Sequence, residues 1–145
     1  MKTLKILAVA LFATGVAMAQ DLNPSDVPNN LKDAFKKEYP KATDVEWERS
    51  MDNYKVEFDI NRQDHDVWYN ASGKVLKKEI EITEAELPQA IRDAIKANYP
   101  NYRVDDVEMI WQNNTTTYEV ELEKGQEEKH VTFDSNAKVL NERND

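Results

Sequence analysis

The stretch VPNNLKDAFKKEYP (residues 27–40) returns as LPQAIRDAIKANYP (residues 87–100), and that recurrence decides the fold. Val27, Pro28, Leu31, Asp33, Ala34, Phe35, Lys36, Tyr39 and Pro40 answer to Leu87, Pro88, Ile91, Asp93, Ala94, Ile95, Lys96, Tyr99 and Pro100. Self-similarity at a fixed spacing is the mark of a repeated structural unit. Each copy reads as a short amphipathic helix. A proline suits its first turn. Leu31, Ala34, Phe35 and Tyr39 recur at helical spacing, as do Ile91, Ala94, Ile95 and Tyr99. The Tyr-Pro pair closes it, because the residue before a proline is pushed out of the helical region.

Downstream the apolar period changes from helical to two. Val45 and Trp47 alternate with Glu46 and Glu48, and Tyr54, Val56, Phe58 and Ile60 alternate with Lys55, Glu57 and Asp59. Val67 and Tyr69 flank Trp68, and Leu76, Ile80 and Ile82 are expected to share a face. Strict alternation signals strands with one buried side. The second copy follows in order. Trp47, Tyr54, Val56, Glu57 and Phe58 return as Trp111, Tyr118, Val120, Glu121 and Leu122. Val67, Tyr69, Lys74, Val75 and Leu76 return as Val131, Phe133, Lys138, Val139 and Leu140. The spacing shifts once. The alignment puts the extra residues in the loop after Pro100, around Asn101 to Val104, and makes Trp47 and Trp111 a repeated pair of core residues. Short connectors of turn-forming residues imply antiparallel hairpins. The fold class expected is α+β: two tandem α-β4 repeats, at residues 20–82 and 83–145. They form one antiparallel sheet with both helices packed on its apolar face.

Residues 1–19 read differently. Lys2 and Lys5 precede an apolar run from Ile6 that ends in Ala17-Met18-Ala19, the pattern of a cleaved signal peptide. The run is shorter than the ~20 residues of a membrane-spanning helix. Export to the periplasm or medium is expected, with no membrane association after cleavage. With no cysteine in the chain, disulfides, thiol chemistry and an acylated cysteine anchor are not expected. Without Lys2 and Lys5 there remain 28 acidic against 17 basic residues, a net charge of about −11. Such a balance argues against nucleic acid and favours a basic partner, a cation or simple solubility.

The order of elements is similar to that of a known family. An export signal, a helix ending in Tyr-Pro, a Val-x-Trp strand at Val45 to Trp47, a Tyr-x-Val-x-Phe strand at Tyr54 to Phe58 and a strand closing on Gly73-Lys74-Val75-Leu76, all duplicated, resemble the PepSY-like proteins of Gram-negative gut bacteria. These are related in fold to the beta-lactamase inhibitor protein. The resemblance runs from about Val27 to Leu140. It implies a periplasmic or secreted tandem-repeat protein with a shared sheet, of a type that restrains peptidases or binds proteins. It supplies no catalytic residues. The chain departs from the pattern at Ala137, where the first copy has Gly73.

The residues offer little catalytic chemistry. His65 and His130 do not align between copies, lack the helical spacing of a zinc pair and read as exposed strand-end residues. No Gly-x-Ser-x-Gly elbow surrounds any serine, and the three glycines do not cluster into a phosphate loop. No enzyme, metal site or cofactor is expected, and Asn70-Ala71-Ser72 and Asn113-Asn114-Thr115 read as turns. The informative residues point away from the core. Trp68 stands outward in the phase of Glu57 and Asp59, and Glu119, Glu121 and Glu123 stand outward on one strand of the second copy. Large aromatics dominate interaction hot spots, and charge steers encounters. These six residues form a candidate binding face for a basic or amphipathic protein or peptide. The expected role is a non-enzymatic binding module, an inhibitor or regulator of a secreted peptidase or envelope protein. The alternative is a periplasmic small-ligand or cation-binding protein.

Overall fold

Pro28 and Pro88 sit immediately before two ten-residue helices, α1 (Asn29–Glu38) and α2 (Gln89–Asn98), and their carbonyls accept the first helical N–H bonds. The last turns close on Tyr39 and Tyr99, whose N–H groups donate to Phe35 and Ile95 at 2.8 Å. In the computed structural model, which describes residues 20–144, the other regular elements are strands and a 3-10 turn at Glu84–Glu86. A short strand β1 (Gln20–Leu22) precedes α1. Then come β2 (Thr43–Ser50), β3 (Asn53–Ile60), β4 (Gln63–Asn70) and β5 (Val75–Glu81). After α2 follow β6 (Arg103–Gln112), β7 (Thr115–Lys124), β8 (Glu127–Asp134) and β9 (Val139–Asn144). All nine form one antiparallel sheet in chain order. The expected α+β fold of two α-β4 units on a shared sheet is what the chain adopts. The signal peptide expected over residues 1–19 lies outside the described residues.

Register fixes which side the helices cover. Trp47 pairs with Val56, Val56 with Val67, Val67 with Lys78, Lys78 with Trp111 and Trp111 with Thr116. Directly paired residues share a face, and Val107, four residues before Trp111 on the same strand, shares it too. Both cores therefore lie on one side of the sheet.

The cores correspond position for position. Val27, Leu31, Phe35 and Trp47 answer to Leu87, Ile91, Ile95 and Val107, each sixty residues later. Val56, Phe58, Val67 and Tyr69 answer to Val120, Leu122, Val131 and Phe133, each sixty-four later. Burying such a side chain contributes about 1.5–3 kcal/mol, so the two sets drive the folding of both halves.

This correspondence corrects the sequence alignment. The buried counterpart of Trp47 is Val107, and Trp111 is only half-buried, outside both cores. The insertion is not in the loop after Pro100. It lengthens the β6–β7 hairpin, whose strands have 10 residues each against 8 in β2 and β3. Met109 opposite Tyr118 matches Arg49 opposite Tyr54, and Ile110 opposite Thr117 matches Ser50 opposite Asn53. Trp111 opposite Thr116 and Gln112 opposite Thr115 are added rungs.

Two further expectations shift. Val45 is exposed because a bulge between Thr43 and Glu46, with Asp44 at φ 51°, breaks the alternation. Leu76 is the extra residue of another bulge, since Tyr69 pairs with Val75 and Trp68 with Lys77, and it lies outside both cores. Leu140 repeats this bulge in the second half.

The turns before β5 and β9 are built alike. Asn70 Oδ1 accepts from the N–H groups of Ser72 (3.1 Å) and Lys74 (2.9 Å), and Asp134 Oδ1 from those of Asn136 (2.8 Å) and Lys138 (2.9 Å). Gly73 holds φ 88° and Ala137 holds φ 66° at equivalent places. A side chain with a Cβ in that region costs about 1–2 kcal/mol. Ala137→Gly is therefore expected to stabilise the protein by about 0.5–1 kcal/mol net of the entropy glycine adds to the unfolded chain. Urea denaturation checks this, and a loss of stability would show the turn to be unstrained.

Candidate functional site

The face that the helices leave open carries its side chains in rungs across the strands. One rung runs Glu46, Glu57, Asp66 and Glu79 over β2 to β5 and continues to Ile110 on β6. The next sets Asp59 against Asp64, and Glu81 against Glu108 and Glu119. Like charges directly opposite one another repel. Glu108, Asp66, Glu81 and Asp59 hold their protons more tightly than usual. Burial, then Glu79, Asp106 and Glu119, push Glu108 up to about 7. Asp66 is raised by burial against the pull of Lys55, Glu81 by burial and then Asp106, and Glu121 by burial. A hydrogen bond to Asp64 is the main cause that raises Asp59.

Cations answer only part of this charge. Lys55 Nζ bridges Glu57 at 2.6 Å and Asp66 at 2.8 Å, and Lys77 pairs with Glu79. Arg143 lies 3.3 Å from Glu119, with His130 Nδ1 3.6 Å from the same carboxylate. Arg103 binds Asp105 and Glu123. Among the described residues no Lys, Arg or His forms an ion pair with Glu108.

Trp68 stands on this face as expected, but it is not a bare anchor. It is half-buried between two ammonium groups, Lys55 Nζ 5.2 Å and Lys77 Nζ 4.6 Å from the ring centroid. Its ring is thus already a cation-binding surface. Of the six candidate residues, Glu57 neighbours Trp68 through Lys55, Asp59 lies on the next rung, and Glu119, Glu121 and Glu123 line β7. Three strand spacings and four residues along β7, roughly 20 Å in all, separate Trp68 from Glu119, so one small ligand does not touch both. Asp66, Glu79 and Glu108, which fill that gap, are the residues the sequence reading missed. Their outward phase is visible in the sequence, but the adjacency of β5 and β6 that joins them into one field is not.

One other expectation is corrected by position. His65 is not an exposed strand-end residue. It shares the phase of Val67, faces the core and stacks on Phe58 with centroids 5.1 Å apart, and burial lowers its pKa. Asp105, Glu121 and Glu123 bring ligand atoms within 4.8 Å of one another. Arg103 occupies two of those carboxylates, so the cluster is already answered by a guanidinium.

Two equivalent cores, each under its own helix, and a charged sheet face left bare define a tandem α+β module with one covered and one open side. The chain belongs to the family described as "Putative beta-lactamase-inhibitor-like, PepSY-like", whose model matches residues 16–77 and again 58–141. The two matches overlap across β3 to β5, and β5 serves both repeats. It closes the first against β4, and Ile82 just beyond it donates to Val107 (2.9 Å) where Leu22 of β1 pairs with Trp47. A BLIP-like protein of Bacteroides fragilis is 29% identical, with a TM-score of 0.68 over 81% of this chain and 85% of its own. A DUF2874 family protein of Bacteroides uniformis is 24% identical with a TM-score of 0.72, over 81% and 89%. A Bacteroides eggerthii protein described as "putative periplasmic" has the same identity and TM-score over 81% and 88%. No curated protein matches the chain. No helix among the described residues is long and apolar enough to cross a membrane.

Proposed function

We propose that the chain is a non-enzymatic, exported binding module whose open sheet face receives a basic or amphipathic segment of another protein. An inhibitor or regulator of a secreted peptidase or envelope protein is the role that fits best. The carrying observation is the excess of carboxylates around Trp68 that the chain's own cations leave unanswered at Glu108. Lysines or arginines of a partner relieve that repulsion, and the Trp68 ring offers them a face already shaped for ammonium groups. The family's kinship with beta-lactamase-inhibitor-like proteins supports a protein partner.

Pull-down from a periplasmic extract with the parent and Trp68→Ala proteins tests the reading. Loss of a buried aromatic anchor is expected to weaken capture roughly tenfold or more, and raising the salt is expected to weaken it further. Equal recovery of every partner by both proteins would remove Trp68 from the interface.

A further inference from the structure

On the covered side, the helices leave the middle of the sheet bare. α1 packs over the core built from β2, β3 and β4, and α2 over that built from β6, β7 and β8. Between them lies a groove of about 360 Å³, lined by Val75, Lys78, Ile80, Met109, Trp111 and Thr116. Its far wall is the added rung of the longer hairpin, Trp111 opposite Thr116, which the first repeat lacks. That tryptophan seals neither core, so core packing does not account for it.

One cation stands in this apolar floor. Lys78 Nζ lies 2.6 Å from Glu38 Oε1 and 5.6 Å from the centroid of the Tyr39 ring. A partly exposed pair of this kind contributes little, so it reopens easily. Close by, Tyr69 pairs with Val75 and is 1% exposed, and its hydroxyl has no hydrogen-bond partner among the described residues. Its ionisation is pushed up by burial and then by Tyr39 and Glu38, so it remains a proton donor within electrostatic reach of the groups that flank Lys78. A buried donor left unpaired is unfavourable, and a nearby acceptor relieves it. The carboxylate rungs lie on the opposite side of the sheet.

We propose that this groove binds a small amphiphilic carboxylate. Its apolar body rests on Trp111, Met109, Ile80 and Val75, and its carboxylate takes Lys78 from Glu38. The volume is at the lower end of the ~300–1,000 Å³ typical of small-molecule sites. It suits a short aliphatic chain or a single ring.

The three tryptophans make the test direct, since Trp47 is in a core, Trp68 on the open face and Trp111 in the groove. Their indole N–H resonances, assigned with single Trp→Phe variants, report the three places separately. Titration with octanoate is expected to move the Trp111 resonance saturably and leave that of Trp68 in place. Octanol, lacking the charge, is expected to bind roughly tenfold more weakly, and octylamine more weakly still. Lys78→Met is expected to weaken octanoate to the level of octanol without changing octanol. Thr116→Trp fills the groove from the facing strand and is expected to abolish binding of all three. A Trp111 resonance that octanoate does not move would overturn the proposal. So would octylamine binding as tightly as octanoate, indifference to Lys78→Met, or undiminished binding to Thr116→Trp.

Discussion

Trp47→Ala is expected to destabilise the protein by about 3–5 kcal/mol, and Trp111→Ala by about 1 kcal/mol or less. The same residue type in apparently equivalent places thus has different weight. Trp47 is 6% exposed and wedged against Phe35, ring centroids 5.6 Å apart and nearly perpendicular, and against Tyr69 at 6.1 Å. Truncation leaves a cavity that its aromatic neighbours cannot fill, and small domains have only about 5–15 kcal/mol in total. Trp111 sits on a rung beyond the second core, and its removal opens the groove without emptying an interior. Thermal or urea denaturation of the two variants checks the contrast. Equal losses would restore Trp111 as the true copy of Trp47 and return the insertion to the loop after Pro100.

The second large effect is on pH. Glu108 has a folded-state pKa of about 7, above its ordinary 4.5, because burial and then Glu79, Asp106 and Glu119 disfavour its charge. The folded protein therefore holds this proton more tightly than the unfolded chain does. Stability from this group is greatest below the ordinary carboxyl range, and falls as pH rises from about 4.5 to about 7. The full gap corresponds to roughly 3 kcal/mol, which water at the partly open face screens to about 1–2 kcal/mol. Asp66, Glu81, Glu121 and Glu48 are raised too and act with the same sign. Two carboxylates and His65 oppose them: burial lowers the His65 pKa, so its contribution fades as pH falls through the ordinary imidazole range. Glu86 is lowered by its capping box with Thr83, and Glu142 by Lys129 and Tyr99, so their contributions fade as pH falls below the ordinary range. The protein is thus expected to be more stable near pH 5 than at pH 8, and Glu108→Gln to be more stable than the parent at pH 8 by about 1–2 kcal/mol, with little difference near pH 5. Melting curves across that range check both. A parent that gains stability from pH 5 to 8 would show that the carboxylates do not strain one another.

Much of this is legible in the sequence itself. The helix stripes Leu31 and Phe35, and Ile91 and Ile95, fell at helical spacing between prolines, and all four are buried. The outward phase of Glu57, Asp59 and Glu119 was equally plain. What failed was the place of one insertion, and the reason is physical. A strand has a side-chain period of two, so a slip of four residues leaves every side chain on its proper face. Alternation cannot distinguish Val107 from Trp111 as the counterpart of Trp47, and the rarer residue type is a misleading guide. His65 shows the opposite case, since its phase with Val67 already put it on the core side. Bulges at Asp44 and Leu76 depend on backbone geometry that composition does not encode. The groove and the joining of Glu79 to Glu108 arise from pairing between repeats, which no local pattern contains.

A basic segment on the open face lowers the pKa values it meets, so binding must release protons. The most direct measurement is calorimetric titration of the protein with a lysine-rich peptide near pH 7, in two buffers of different ionisation enthalpy, for the parent and Glu108→Gln. Release of a substantial fraction of a proton by the parent, and markedly less by the variant, is the outcome that follows from a strained carboxylate face. Binding with no proton release, or with equal release by both proteins, would contradict it.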